Sequence, residues 1–400
     1  MKLVIVAMPE SVHTARWILQ LLDQGWKIYL FPSTLYSEPH PMLRKHIDWG
    51  YTWRRFFGGS LKRGKIHLCR PFGFGIRIPF RNLSMWRLVA RLICRFMPYS
   101  QYRHLRLVVW WFQPDLVHSL EFQMAGELCL RSKQYMRRFP RWIATNWGSD
   151  VLLYHRLTWS KELVHEILQA CEVYSCECER DVELARKLGF RGHVWPVLPN
   201  TGGLNLKEIQ SIRAQHAGQP RRRIMLKGYH GWSGRALFAI RALREVGPLL
   251  KGYTVTLFSW NIDSRISLEI TAQDVGFDFE IIPHGTSHAE ILHLHAQARA
   301  YIGAGISDGL STSCIEAMAM GAFPIQSESA CCREWFRDGE SGIKMDGEDI
   351  GAMACALKRV LSDDAFYERA REINYQIIDE NWGWDHIKTQ IVEAYKESLG

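Results

Sequence analysis

The chain has 400 residues, of which 47% are hydrophobic and 23% are charged, and its formal net charge at pH 7 is +9. This length and hydrophobic content suit two or three domains with ordinary cores. No stretch reaches eighteen uncharged apolar residues, and the apolar run at residues 3–8 ends at a proline. We therefore expect neither a membrane-spanning helix nor a secretion signal.

In chain order, strand-like apolar runs alternate with amphipathic stretches of helical length. The runs are LVIVAM, KIYLF, LVHSL and RWIAT in the first half, and RRIML, YTVTLF, FEIIP and AYIGAG in the second. This alternation predicts an α/β fold of two Rossmann-like domains, joined near residues 196–203 and followed by a final helix at residues 379–399. Ligands of open parallel sheets bind at the carboxyl ends of the strands, so we expect a binding cleft where the domains face each other.

The ten cysteines are irregularly spaced and resemble no disulfide framework. The cluster of Cys171, Cys176 and Cys178 lacks the paired spacing of a structural zinc site. These features predict reduced thiols in a cytoplasmic protein.

Positive charge is concentrated in the first half of the chain. Residues 1–200 carry 29 Lys and Arg against 15 Asp and Glu, whereas residues 201–400 carry 21 against 26. Residues 49–114 contain thirteen Lys or Arg, no Asp or Glu, and many aromatic residues. Within them Arg87, Arg91 and Arg95 are spaced four apart, which would place them on one face of a helix.

This basic amphipathic pattern predicts contact with an anionic membrane surface. The alternative is a helix that covers the sheet of the first domain and leaves its arginines in solvent. Basic and aromatic residues could also bind nucleic acid, but the sequence contains no nucleic-acid-binding motif, and we expect no such partner.

The most informative segment is SDGLSTSCIEAMAMG, at residues 307–321. A buried strand is predicted before it and a helix within it, ended by Gly321. Asp308 lies at the mouth of the turn, and Glu316 lies inside the helix. Because helix N-termini bind phosphate and carboxylates accept hydrogen bonds from sugar hydroxyls, this arrangement predicts a sugar-diphosphate site. Alternatively, Asp308 could be an N-cap and Glu316 a solvated helix residue.

This segment, with EAMAMGAFPI and EWFRDGESG, resembles the donor-site signature of the retaining family-4 glycosyltransferases of the GT-B fold. Other stretches resemble the same family in the right order, and together they cover nearly the whole chain: residues 1–31, PDLVHSLEFQ at 114–123, ATNWGSD at 144–150 and VLPNTGGLNL at 197–206. Asp308 is a departure, because the family usually has Glu there.

The resemblance implies an acceptor domain at residues 1–199, with residues 376–400 packing back on it, and a nucleotide-sugar donor domain at residues 200–375. It implies transfer of a sugar, with retention, from a nucleotide-diphosphate sugar to a glycan or lipid-linked acceptor in bacterial surface-polysaccharide synthesis, such as lipopolysaccharide or capsule. The enzyme would be cytoplasmic and peripheral on the inner face of the cell membrane. No cofactor is expected, and no metal, because no Asp-x-Asp motif follows a strand.

The resemblance also implies roles for individual residues. Asp308 would contact the sugar, with His118 reaching in from the first domain. Asp150 would orient the acceptor hydroxyl or act as a weak base, although it could instead only cap a helix. The implied donor-binding residues are two phosphate clamps, a histidine at the base, three residues of the turn and an acid on the ribose: Lys227, Arg235, His284, Gly309, Leu310, Ser311 and Glu316.

Two other functions stay open. A nucleotide-sugar 2-epimerase shares this architecture, and a non-catalytic membrane-associated scaffold would be compatible with Asp308 in place of Glu. A metal site at His284, His288, His293 and His295 is not expected, because these residues show no consistent ligand face on a helix.

Overall fold

The computed structural model describes residues 1–34, 37–48, 66–69 and 101–399. Chain contacts divide it into two units: unit 1 comprises residues 1–177, 181–202 and 388–400, and unit 2 comprises residues 178–180 and 203–387. The arginine stripe at Arg87, Arg91 and Arg95 lies outside the described residues. Among the helices that are described, none combines the length and apolarity needed to cross a bilayer.

Unit 1 contains a parallel sheet with seven strands in its described residues, in the order β3-β2-β1-β4-β5-β6-β7. The strands are β1 Lys2–Ala7, β2 Lys27–Pro32, β3 Ile66–Leu68, β4 Leu116–Leu120, β5 Arg141–Thr145, β6 Val173–Ser175 and β7 His193–Val194. β1 and β4 are buried along nearly their whole length. This burial explains the continuous apolar run LVIVA in β1, which is typical of parallel strands covered on both faces.

Helices connect these strands. They are α1 Val12–Leu19, α2 Pro41–Arg44, α3 Gln101–Phe112, α4 Glu127–Gln134, α5 Ser149–Leu152, α6 Lys161–Ala170 and α7 Glu179–Lys187. A π-helical turn, Phe122–Gly126, precedes α4.

Residues 388–400 return to unit 1 after the whole of unit 2. They include most of the last helix, Trp384–Glu397. From this segment the buried Tyr395 hydroxyl accepts a hydrogen bond of 2.9 Å from Nε1 of Trp17, and its ring packs against Trp195. The predicted return of the C-terminal helix to the first domain is confirmed.

Unit 2 contains a second parallel sheet, with the order β10-β9-β8-β11-β12-β13. The strands are β8 Arg223–Lys227, β9 Thr254–Phe258, β10 Asp278–Ile281, β11 Ala298–Gly303, β12 Phe323–Ser327 and β13 Ile343–Met345. From β8 the chain adds strands in one direction, and from β11 it adds them in the other. The boundary between β8 and β11 is therefore the point where the strand order reverses, which is where ligands bind in open α/β sheets.

The helices of unit 2 begin and end at residues suited to those places. They are α8 Leu206–Gln215, α9 Ala236–Val246, α10 Ile262–Val275, α11 His288–Ala296, α12 Thr312–Met320, α13 Ile350–Ser362 and α14 Asp364–Asn381. The last helix, α15 Trp384–Glu397, begins in unit 2 and belongs to unit 1 from residue 388 onward. Asn261 and Ser287 form capping boxes at the starts of α10 and α11. Gly276 and Gly321 end α10 and α12 in the left-handed conformation, with φ of 82° and 86°. The two parallel sheets with their helices confirm the predicted α/β fold of two Rossmann-like domains.

Candidate functional site

Lys227 and Asp308 come together where the strand order of unit 2 reverses. Lys227 is the last residue of β8, and Asp308 follows β11, its neighbour in the sheet. The Lys227 Nζ lies 3.8 Å from Oδ2 of Asp308, and both side chains are partly exposed. The strand geometry thus places one cation and one carboxylate side by side at the carboxyl edge of the sheet.

The backbone of Asp308 is held by Arg180. The Arg180 guanidinium donates one hydrogen bond of 2.9 Å to the Asp308 carbonyl and another of 2.6 Å to the Ser329 carbonyl. The Asp308 amide in turn donates to the Ser329 carbonyl at 3.3 Å. One planar, charged group therefore fixes the turn after β11 to the segment after β12.

The turn leads directly into α12. Its Asp308 carboxylate accepts a hydrogen bond of 2.9 Å from the Gly309 amide, so that predicted ligand-binding amide is engaged within the turn. Leu310 and Ser311 are buried, and Ser311 is the N-cap residue without a side-chain capping hydrogen bond. The positive end of the α12 dipole therefore lies at this turn, where it favours an anion.

Glu316 lies on α12, with its side chain only 8% exposed. One carboxylate oxygen is 2.6 Å from Nε2 of His288, the first residue of α11. The capping box of Ser287 and Glu290 fixes the start of α11 and so positions His288. Behind this pair His295 is fully buried, and burial lowers its pKa to about 4. At neutral pH His295 is therefore uncharged.

A glycine-rich loop, residues 228–235, follows β8 and lies against the start of the Asp308 turn. The Ile306 amide donates a hydrogen bond of 2.8 Å to the Ser233 carbonyl. At Gly234 a Cβ atom would lie 2.2 Å from the Tyr229 carbonyl oxygen, so only glycine fits this close approach. The loop therefore depends on Gly234 to bring its backbone alongside the turn.

Arg235 ends the glycine-rich loop and precedes α9. Its Nε donates to Glu348 at 2.5 Å, and its Nη1 donates to the carbonyls of Gly231 and Gly234 at 3.0 and 2.9 Å. The guanidinium thus closes the loop on itself and pairs with an acid. A role for Arg235 as a diphosphate clamp stays a prediction.

His284 lies in the loop after β10, where it is exposed and packs on Trp260. The two ring centroids are 4.2 Å apart. The Trp260 Nε1 donates a hydrogen bond of 2.7 Å to the Ile282 carbonyl, and the Arg265 guanidinium lies 5.3 Å from a ring of Trp260. Trp260 therefore anchors the loop in which a base contact was predicted.

His118, for which a sugar contact was predicted, has its hydrogen-bond partners in the core of unit 1. His118 lies in the middle of β4 and is fully buried in unit 1. Its Nδ1 lies 2.5 Å from the Tyr395 hydroxyl, and its Nε2 lies 2.5 Å from Oγ1 of Thr145. Burial lowers the pKa of His118 to about 3, so the ring is neutral. Both ring nitrogens therefore have partners within unit 1, and a sugar contact of His118 stays a prediction.

Asp150, for which a catalytic role was predicted, lies in the interior of unit 1. Its carboxylate is buried and accepts hydrogen bonds from the Phe122 and Trp147 amides and from the Gln123 side chain, at 3.0, 2.8 and 3.0 Å. Burial raises the pKa of Asp150 to about 6. Burial and the charge of Asp150 together raise the pKa of its neighbour Glu121 to about 8. Asp150 thus joins two turns of the backbone, as in the capping alternative, and a catalytic role for it stays a prediction.

The four histidines considered for a metal have separate surroundings. His284 packs on Trp260, His288 pairs with Glu316, His293 pairs with His216, and His295 is buried against Phe258 and Tyr301. Within the described residues, the one group whose donor atoms lie close enough for a metal is Cys178, Cys331 and Glu334. Both oxygens of Glu334 already accept backbone hydrogen bonds, from the Glu179 and Arg180 amides.

Sequence reasoning missed Arg180, Glu348 and the pairing of His288 with Glu316. Arg180 is 128 residues from Asp308 and donates a hydrogen bond to its backbone carbonyl. No side-chain motif in the sequence therefore predicts the contact. For His288 a signal was present, because the Ser287–Glu290 capping box places it at the start of a helix. The capping-box sequence does not, however, show that α11 lies beside α12.

With this geometry established, comparison with known proteins defines a class. Residues 261–377, which include Glu316, His288 and Asp308, match the family described as glycosyl transferases group 1. No curated protein matches the chain by sequence.

Solved structures match the chain over nearly its whole length. Sucrose-phosphate synthase from Thermosynechococcus elongatus has a TM-score of 0.69 at 15% identity, covering 99% of this chain and 98% of its own. HepE of Anabaena, in complex with UDP and glucose, has a TM-score of 0.65 at 13% identity, covering 99% and 100%. A trehalose-6-phosphate protein from E. coli, bound with UDP-2-fluoro glucose, has a TM-score of 0.65 at 14% identity, covering 99% of each chain.

At these identities the structural similarities show the fold alone. The fold is that of the two-domain GT-B proteins, and unit 2 carries the segment that matches glycosyl transferases group 1. The two findings together support a glycosyltransferase of GT-B fold.

Proposed function

We propose that this protein is a retaining family-4 glycosyltransferase, independent of metal ions, that transfers a sugar from a nucleoside-diphosphate sugar to a glycan or lipid-linked acceptor. The observation that carries this proposal is the placement of Lys227, Asp308 and the N-terminus of α12 where the sheet order reverses, with Glu316 further along the same helix. That combination suits one ligand with a diphosphate and two sets of hydroxyl groups.

Each group has a defined part in this proposal. The Lys227 ammonium and the positive end of α12 stabilise the negative charge that grows on the departing diphosphate. The Glu316 carboxylate accepts hydrogen bonds from the ribose hydroxyls, and His288 holds that carboxylate in place. Asp308 accepts hydrogen bonds from the transferred sugar, in a turn that Arg180 keeps in position.

Transfer breaks the bond between the anomeric carbon and the diphosphate oxygen, and forms a bond from the same carbon to the acceptor oxygen. For retention, the acceptor enters on the face from which the diphosphate leaves. A departing phosphate oxygen then takes the acceptor's proton. This course requires no basic side chain from unit 1, which agrees with the buried positions of His118 and Asp150. The donor itself is the substrate, and no further cofactor is required.

We further propose that the acceptor is borne by a membrane and belongs to bacterial surface-polysaccharide synthesis, such as lipopolysaccharide or capsule. The enzyme would then act on the cytoplasmic face, attached peripherally. The composition of residues 49–114, with thirteen Lys or Arg and no acid, supports attraction to anionic lipid.

A thermal-shift panel of UDP-, GDP-, ADP- and TDP-sugars tests the donor site. UDP-sugars come first, because HepE was crystallised with UDP-glucose. A ligand present at 100 times its dissociation constant adds about 2.7 kcal/mol to stability, which is readily measured. Product analysis with the selected donor then separates transfer from 2-epimerisation. If no nucleotide sugar raises the unfolding temperature of the protein at millimolar concentration, the proposed donor site is wrong.

A further inference from the structure

Two cysteines meet at the corner of unit 2 that holds the Asp308 turn. Cys178 directly precedes α7, and Cys331 lies between two short 3-10 helices, Glu328–Ala330 and Cys332–Glu334. Their Sγ atoms are 2.7 Å apart, and both residues are at most 2% exposed. They are 153 residues apart in the chain, so the fold alone brings them together.

The backbone at Cys331 is held in an unusual conformation. Its φ is 53°, in the left-handed region that few residues other than glycine adopt. The turn is maintained by hydrogen bonds from the Cys331 amide to the Glu328 carbonyl, at 3.0 Å, and from the Glu334 amide to the Cys331 carbonyl, at 2.9 Å. The surrounding turns thus hold the Cys331 sulfur against Cys178 at a cost in backbone strain.

The electrostatic surroundings of the two sulfurs are mixed. Cys178 is at the N-terminal end of the nine-residue helix α7, and the charged Arg180 follows it. A helix N-terminus favours a negative charge, and the thiolate is the reactive form of cysteine. Glu334 opposes this effect, but its carboxylate is committed to the amides of Glu179 and Arg180, at 2.8 and 3.3 Å.

We propose that Cys178 and Cys331 are a reversible disulfide pair, oxidised by a small-molecule disulfide such as oxidised glutathione. One cysteine thiolate attacks the oxidant, breaking its S–S bond and releasing one glutathione thiolate. The second cysteine thiolate then attacks the mixed disulfide and releases the second glutathione thiolate. The two released thiolates take up the two protons that the cysteines lose. Two electrons pass to the oxidant, and one S–S bond replaces another.

Because both sulfurs are buried, oxidation requires this corner to open briefly, so the pair should react slowly in the folded protein. Once formed, the disulfide would lie close in the chain to both ends of one hydrogen bond: Arg180 is two residues from Cys178, and Ser329 is two residues from Cys331. It would therefore fix the bridge by which Arg180 holds the Asp308 carbonyl. The proposal concerns the disulfide itself and does not depend on the proposed function.

The test uses the full-length protein equilibrated in buffers of increasing ratio of oxidised to reduced glutathione, then acidified, alkylated and digested without reduction. Mass spectrometry should find a peptide that joins Cys178 to Cys331, lighter by two hydrogens than the two thiol peptides. The oxidised protein should also unfold at a higher temperature than the reduced one. Cys355→Ser is the matched control, because Cys355 is exposed, and it should keep both results.

Cys178→Ser and Cys331→Gly should each lose the cross-link and the temperature shift. Glycine suits the left-handed backbone at residue 331, so this variant removes the thiol without adding strain. The proposal is overturned if no Cys178–Cys331 peptide forms while Cys355 is modified by glutathione. It is also overturned if the purified protein holds one equivalent of zinc that Cys331→Gly loses, since the thiolates would then be metal ligands.

Discussion

The carboxylate of Glu316 lies 2.6 Å from Nε2 of His288, which joins α12 to the first residue of α11. Glu316 is almost fully buried, whereas His288 is nearly half exposed. The pair therefore reaches from the interior of unit 2 to its surface. The orientation of the Glu316 carboxylate, which we propose binds the ribose, therefore depends on α11 as well as on α12.

Glu316→Ala should weaken binding of the nucleoside diphosphate selected by the thermal-shift panel by at least tenfold, and should nearly abolish turnover. Each hydrogen bond between a carboxylate and a ribose hydroxyl is worth about 1.5–3 kcal/mol. Isothermal titration calorimetry measures the affinity. Glu269→Gln changes a partly exposed glutamate that is paired with Arg265 on α10; this control variant should bind as the parent does. Unchanged affinity in Glu316→Ala would remove this residue from the ribose role.

Arg180→Lys should lower kcat by about tenfold and change the nucleotide affinity much less. A lysine keeps the charge but cannot donate in parallel to the carbonyls of Asp308 and Ser329 as the planar guanidinium does. Steady-state kinetics should separate the two parameters. Arg186→Lys, on the same helix, is the control and should keep the parent's kcat. Equal loss in both variants would point to a general effect on α7.

Activity should survive an excess of EDTA. The Lys227 ammonium and the N-terminus of α12 already place positive charge where a divalent ion would neutralise the diphosphate. Turnover is measured before and after chelation, with the protein dialysed into metal-free buffer. Loss of activity that magnesium or manganese restores would show that a cation is required after all.

Unit 1 should become less stable as pH rises from about 5 to 8. In the folded protein the pKa of Glu121 is raised from 4.5 to about 8, first by burial and then by the charge of Asp150. Between these values the folded state holds a proton that the unfolded chain has released, so the free energy of unfolding falls with increasing pH. Asp150, raised to about 6, contributes in the same direction over a narrower range.

Urea unfolding at several pH values measures this slope. A glutamine at this position carries no charge at any pH. In Glu121→Gln the loss of unfolding free energy between pH 5 and pH 8 should therefore be smaller than in the parent by at least about 1 kcal/mol, since one pKa unit corresponds to ~1.4 kcal/mol. Glu127→Gln is the control, because Glu127 is exposed and pairs with Arg131. If the unfolding free energy of the parent and of Glu121→Gln changes equally with pH, Glu121 does not hold a proton in the folded protein, and the prediction is wrong.

The acid-free segment at residues 49–114 should bind anionic liposomes at low salt and release them as salt rises. The Debye length shrinks from ~30 Å at 0.01 M to ~10 Å at 0.1 M. Replacing Arg87, Arg91 and Arg95 together with Ser should reduce liposome binding and turnover on a lipid-linked acceptor, while donor binding stays intact. Neutral liposomes are the control. Undiminished binding by the triple variant would exclude the stripe as the membrane contact.

The fold was predictable because its signal is repeated along the chain. Apolar runs such as LVIVAM and KIYLF, alternating with helical stretches, suffice for an α/β assignment. The position of Asp308 after a buried strand was also predicted, but the sequence did not show that this strand, β11, lies beside β8, which ends at Lys227. Local patterns fix the positions of such residues because parallel strands end at a common edge.

The partners of His118 and Asp150 in unit 1 could not be predicted from the sequence. LVHSL predicted the strand that contains His118, but the partners of its ring are Thr145 and Tyr395, and Tyr395 lies 277 residues further along the chain. The local sequence around a histidine in a strand is the same whether its ring nitrogens bind a ligand or bond to residues of the core. Asp150 has the same ambiguity, because the Gly-Ser-Asp loop does not show that the Phe122 amide lies above the carboxylate.

The place of Tyr395 in the core of unit 1 has a consequence for biosynthesis. Trp195 and His118 pack against its ring and Trp17 donates to its hydroxyl, yet a ribosome makes these three residues before nearly all of unit 2. Until residue 395 has left the exit tunnel, the first domain lacks the side chain that fills this space and pairs with the histidine. Unit 1 can therefore reach its native packing only after unit 2 has been synthesised, so the domain that comes first in the chain is completed last.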